Sequence, residues 1–157
     1  MRIFAVVMLS SLLLPSLLFA GEWVNDNAYR VVAPGVPDKN AADKLARRLS
    51  AKTVAVALAR ARVVEELAWI LGGDSLDDPS GVLACRNAVF GAFRDAILAG
   101  RVVEERYGES DDCTITYEVE TPGLRAKLTA LRGSLKIPGE GTEGADADRL
   151  YRSLGGD

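Results

Sequence analysis

Cys113 to Glu120 reads CTITYEVE, and the alternation in it decides the fold. Cys113, Ile115, Tyr117 and Val119 fall on one side of an extended chain, while Thr114, Thr116, Glu118 and Glu120 fall on the other. A strand with one dry and one wet face follows. Just upstream, Gly108 to Asp112 forms a turn by composition, and Arg101 to Tyr107 (RVVEERY) supplies the strand on its other side. Further back, Ala28 to Ala33 (AYRVVA) places Tyr29, Val31 and Ala33 on one face and is closed by Pro34-Gly35-Val36-Pro37.

Between the first strand and the hairpin the period changes from two to that of a helix. Asp38 is positioned as a cap, Leu45, Leu49, Val56, Val63, Leu67 and Ile70 recur at near-helical spacing, and Gly72-Gly73 stops the run. Ala46, Ala55, Ala57, Ala59, Ala61 and Ala68 add helix propensity and a slim cross-section that suits close approach to a sheet. Read as one piece this helix has about 33 residues and is roughly 50 Å long, so its first turns are expected to project or to bend near Ser50. Gly72 to Gly81 (GGDSLDDPSG) is a loop, and Ser80 is a cap for a second helix that ends before Gly100 and carries Val82, Cys85, Val89, Phe93 and Ala96 as its apolar stripe. After the hairpin, Thr121-Pro122 opens a short helix with Leu124, Leu128 and Leu131. The order strand, helix, helix, strand, strand predicts an α+β fold. It is a small three-stranded, largely antiparallel sheet with one long and one shorter helix on one face.

Residues 1–20 read as a signal peptide. Arg2 gives a basic start, Phe4 to Phe19 an apolar stretch interrupted by Pro15, and Ala20-Gly21 a small-residue cleavage site. A membrane anchor is the alternative, but the stretch is short for a span of ~20 residues. Residues 21–136 then form one α+β domain, and residues 137–157, rich in glycine and acid, a flexible tail. Cleavage after Ala20 predicts a periplasmic or secreted protein that is soluble. With no cysteine near the cut, it is not lipidated. Cys85 and Cys113 are the only cysteines, and in an exported chain the even count predicts a disulfide between them.

Histidine is absent, which removes His-based triads, histidine zinc sites and imidazole acid/base chemistry. The net charge of −3 argues against a nucleic-acid binder. Asp74, Asp77 and Asp78 crowd one loop without the spacing of a calcium loop, and read as a solvated turn. Glu65 and Glu66 with Glu104 and Glu105 are the carboxylates available for acid/base work, yet neighbours on a helix or strand point apart, and Arg62 with Glu66 is more simply an i,i+4 ion pair. Tyr29, Tyr107 and Tyr117 read as half-buried strand residues, and Gly91 as a close contact or a tolerated interior glycine. No catalytic, cofactor or metal residue is therefore assigned, and an enzyme is not expected. Lys39, Lys44, Arg47, Arg48, Lys52, Arg60 and Arg62 make a basic rim on the long helix, suited to a solvated face or to peripheral contact with anionic lipid or an acidic partner.

Taken together, DKLARRLSAKTVAVALARARVVEELAWILGG, AGRVVEERYGESDDCTITYEV and the trailing PGL resemble the LPP-twenty family of bacterial surface lipoproteins, whose relatives include flagellum-associated exported proteins. The resemblance runs from about Tyr29 to Leu128 and rests on pattern rather than a diagnostic motif. It implies a strand-helix-strand-strand core and a non-enzymatic accessory role in the envelope or flagellum, with no catalytic residues to carry over. The lipid-bearing cysteine of the lipoprotein members is missing here. The expected function is a protein-binding or structural module that meets an envelope or flagellar protein, or itself. The alternative is a secreted small-ligand binder with a pocket lined by Trp69, Phe90 and Phe93.

Overall fold

The computed structural model describes residues 21–73 and 79–135. The expected signal peptide at 1–20, the aspartates Asp74, Asp77 and Asp78, and the expected tail at 137–157 lie outside the described residues. The fold is α+β, with four antiparallel strands and three helices among the described residues. The strands are β1 (Glu22–Asn25), β2 (Ala28–Gly35), β3 (Arg101–Tyr107) and β4 (Cys113–Glu120), in the order β1-β2-β4-β3. The helices are α1 (Lys44–Gly72), α2 (Pro79–Ala99) and α3 (Leu124–Ser134).

The strand not foreseen is β1, which pairs with the start of β2 through a tight Asp26-Asn27 turn. Its sequence, EWVN, is too short to show a period. Tertiary contacts define it: Trp23 packs edge-on to Tyr29 with ring centroids 5.1 Å apart, and the Arg125 guanidinium of α3 lies over the Trp23 ring. Within β4 the alternation holds, since Cys113, Ile115, Tyr117 and Val119 are all buried against the helices. Tyr29, Val31 and Ala33 of β2 extend the same dry face.

α1 crosses this face, packing on β2 and β4, and α2 packs on α1. α1 is continuous over 29 residues. Asp43, not Asp38, caps it by accepting from the Ala46 amide at 2.8 Å. Asp38 instead accepts from the Asn40 amide, and its own amide donates to Ser50 Oγ. The buried stripe of α1 keeps Val63 and Leu67 of the expected one but departs from it at both ends. Ala51, Ala55, Ala59, Val63, Leu67 and Leu71 face inward, while Leu45, Leu49 and Ile70 are exposed. Small residues win the sheet-facing positions because β2 comes so close: a side chain on Gly35 would drive into the Ala51 carbonyl and sit 2.6 Å from the Ala55 nitrogen. Larger apolar residues fill the core only farther along α1, where Leu67 and Leu71 are buried together with Leu124 and Leu128 of α3.

Cys85 and Cys113 are both fully buried thiols, and the expected bridge between them is not formed. Cys113 stands opposite Gly35, the residue that packs on Ala51 and Ala55, whereas Cys85 adjoins Arg86, whose guanidinium is paired with Glu65. From Ala55 to Glu65 the helix rises on the order of 15 Å. A disulfide tolerates an α-carbon separation of at most ~7 Å. Both cysteines point into one core, as the alternation implied, but into different ends of it.

Candidate functional site: the outward face of the second helix

The carboxylates marked for acid/base work are separated and each is engaged. Glu65 turns toward α2 and pairs with Arg86. Glu66 turns the other way, accepting from Tyr29 Oη and the Gly21 amide, both at 2.7 Å, and forms an ion pair with Arg62 Nε at 3.6 Å. Glu104 binds Arg106 and the Thr116 hydroxyl on the wet face of the sheet, and Glu105 binds Lys52 and the Tyr107 hydroxyl. These partners hold Glu104 and Glu105 below the usual carboxylate range, Arg106 dominating at the first and Lys52 at the second. No two of the four converge on a common point. Tyr29 and Tyr117 are core residues rather than half-buried ones. Burial, reinforced by Glu66, pushes the Tyr29 phenol well above its ordinary range, and Tyr117 Oη donates to the Ile97 carbonyl at 2.8 Å.

The basic rim is largely consumed inside the fold. Arg47 and Arg48 bind Asp111 in the β3-β4 turn at 3.4 and 3.1 Å, and the Arg48 guanidinium also lies over the Tyr107 ring. Lys52 takes Glu105, Arg60 donates to the Leu98 carbonyl and Tyr117 Oη, and Arg62 donates to the Val32 carbonyl. Of the seven cations, only Lys39 and Lys44 make no polar contact among the described residues. Charges on the wet sheet face are matched in the same way. Glu118 is buried between Arg101 and Arg30, each donating to one carboxylate oxygen at 2.6 Å, with Glu22 and Glu120 at the flanks. Arg101 first and Arg30 second hold the Glu118 carboxyl low.

Both sheet edges are blunted against strand addition. β3 carries Arg101, Glu104, Glu105 and Arg106 and is broken by a bulge between Val102 and Glu104. On the other side β1 covers only the first residues of β2. Beyond it, Arg62 occupies the Val32 carbonyl, and Pro34 has no N–H to offer.

Apolar surface stays exposed on α1, at Leu45, Leu49, Leu58 and Trp69, and on α2, where charge is scarcest. The inner face of α2 is Gly81, Cys85, Val89, Phe93 and Ile97, at strict four-residue spacing. Its outer face carries Leu83, Phe90 and Leu98, exposed at 57, 44 and 43%, with Gly91 and Ala92 between them. Only Arg86, Arg94 and Asp95 are charged along the helix, and Arg86 is taken by Glu65. A helix apolar on both sides is normally covered on both sides. Gly91 points the same way, for a side chain there would meet nothing within 4 Å, so no packing within the described fold demands a glycine that costs about 1 kcal/mol in mid-helix. The sequence reading took only the inner stripe. The signal it passed over was the scarcity of charge around the whole circumference.

The three aromatics expected to line a pocket do not converge. Phe93 is in the core, while Trp69 and Phe90 are exposed on different helices. Phe93 does border a shallow recess of about 350 Å³, formed by Gly91 to Ala96 with Thr121 and Lys127. Its rim is polar and charged. Among the described residues no group of histidine, cysteine, aspartate or glutamate is arranged to hold a metal ion, and no helix is long and apolar enough to cross a membrane. No protein-family model, characterised protein or solved structure matches the chain.

Proposed function

We propose that this chain is a non-enzymatic exported protein of the bacterial envelope, a protein-binding accessory module of the LPP-twenty type linked to flagellar or outer-envelope assembly. Export rests on the basic start, apolar run and Ala20-Gly21 site, and the family on the helix and hairpin patterns quoted above. The observation that carries the binding role is the outer face of α2, where Leu83, Phe90 and Leu98 stand exposed around Gly91. Elsewhere the arginines Arg47, Arg48, Arg60 and Arg62 of α1, its Lys52 and the charges of the wet sheet face are engaged internally, and the edges resist strand addition. A helix-face contact is thus the mode this surface favours.

Site-specific photo-crosslinking in the source cell tests it. A photoreactive side chain at position 90 is expected to trap one discrete envelope protein, or a second copy of this chain, whereas the same group at Thr116 on the sheet face traps none. An absence of adducts at 90, or equal labelling from both positions, sinks the reading.

A further inference from the structure

The amide nitrogen of Gly21, the residue that follows the expected cleavage site, donates to Glu66 Oε2 at 2.7 Å. Tyr29 Oη donates to the same oxygen at 2.7 Å, and Arg62 Nε stands 3.6 Å from Oε1. The contact joins residues 45 apart in sequence and is partly buried. A Cβ at position 21 would collide with Glu66 Oε2 and lie 2.6 Å from Tyr29 Oη, so a larger residue there must displace the ends of both side chains. Glycine at 21 lets the backbone nitrogen reach the carboxylate with both groups in place.

We propose that Glu66 and Tyr29 form a receptor for the α-ammonium that processing creates at Gly21, so that cleavage itself completes the fold. The idea rests on the export reading, since the chain must begin at Gly21. Hydrolysis of the Ala20-Gly21 bond consumes one water, leaves the Ala20 carboxylate on the departing peptide and leaves an amine on Gly21 that protonates near neutral pH. Before cleavage Glu66 meets a neutral N–H. Afterwards it meets a cation in the same place, and a neutral hydrogen bond becomes a charge-assisted one. Tyr29 remains a proton donor to Glu66 because its phenol does not ionise in the ordinary range.

The charged and titratable groups facing this point are Glu66 and Arg62 of α1 and Tyr29 of β2. Glu22 turns with Arg30 to the opposite sheet face, and Arg125 of α3 is held by Asp26 and the Trp23 ring. Arg62 opposes the ammonium, but its guanidinium also donates to the Val32 carbonyl at 2.5 Å, which draws it toward the sheet edge. An amine paired with Glu66 has its folded pKa raised. Its stabilisation is therefore complete below the ordinary α-amino value of about 7.7–8.0 and is lost as pH rises through the raised one.

The test uses the processed chain, Gly21 to Asp157, released from a fusion whose protease leaves Gly21 first. Three forms are compared: the free amine, the same chain acetylated on Gly21, and the chain retaining Ala20, each also as Glu66→Gln. At pH 6 the free amine is expected to melt several degrees above the other two, and its Gly21 amine to titrate above the ordinary value. Both effects should vanish in Glu66→Gln. Equal melting of the three wild-type forms, or a difference that survives Glu66→Gln, overturns the receptor. Mass analysis of exported protein is a separate arm. A mature start other than Gly21 refutes processing at this bond, and the recombinant comparison still decides whether Glu66 receives the amine.

Discussion

Gly35 of β2 faces Ala55 of α1 so closely that a Cβ on the glycine would lie 2.6 Å from the alanine nitrogen and 2.9 Å from its Cβ. This contact sets the distance between helix and sheet at the N-terminal half of α1, and explains why Ala51, Ala55 and Ala59 rather than Leu45 and Leu49 form the buried stripe. Gly35→Ala is expected to cost about 1–3 kcal/mol through overpacking of backbone that cannot yield. Thermal melting measures it, and an unchanged midpoint would mean that α1 shifts freely on the sheet.

Glu118 gives the wet sheet face its pH dependence. Its carboxyl is held low by Arg101 and Arg30. A carboxyl with a depressed folded pKa contributes stability above the ordinary value of about 4.3 and loses it as pH falls through the depressed value. Glu118→Gln is therefore expected to destabilise at pH 7, by about 1–3 kcal/mol for leaving two arginines without their acceptor, and to flatten the loss of stability below pH ~4. Denaturant melts at pH 7 and pH 3 check this. Equal losses at both would show that the carboxylate charge contributes nothing.

How much of this was legible beforehand follows from particular residues. The alternation in β4 exposed its buried and wet faces because one side of an antiparallel strand meets the core and the other meets water. In α1 the alanines announce close approach to a sheet, but alanine fits either face, so spacing favours Leu45 and Leu49 for the stripe, and which alanines make the contact is set by Gly35 on another element. β1 escaped notice because its four residues depend on Tyr29 and Arg125 for their place. The pairing of Arg47, Arg48 and Lys52 with Asp111 and Glu105 depends on the hairpin folding back on the helix start, which local charge patterning does not report.

Cys85 and Cys113 are expected to behave as two separate thiols. In unfolded protein that has never met a reductant, mass analysis after alkylation should find both modified, and reductant should leave the melting temperature unchanged. Within the folded protein, Cys113 should be slow to alkylate. It is buried, and burial together with the Glu105 charge raises its thiol pKa. A single species protected from alkylation until reduced would show that α2 and the start of β4 approach as the structure does not.

Phe90 and Phe93 stand three residues apart on α2 and are expected to respond in opposite ways. Phe93 is 4% exposed and Phe90 is 44% exposed. Truncating Phe93 to alanine removes core contacts that nothing else fills, and a loss of about 3–5 kcal/mol is expected. Phe90→Glu removes little that the isolated chain uses, so its stability should stay within about 0.5 kcal/mol of wild type. If the outer face of α2 is where a partner binds, Phe90→Glu and Leu98→Glu should each abolish crosslinking from neighbouring positions on that face, because a carboxylate would be buried there without a counter-charge. Comparing melting with crosslinking separates the two roles: a Phe90→Glu chain that melts normally and still crosslinks to the same partner would remove α2 from the interface, whatever Phe93 does.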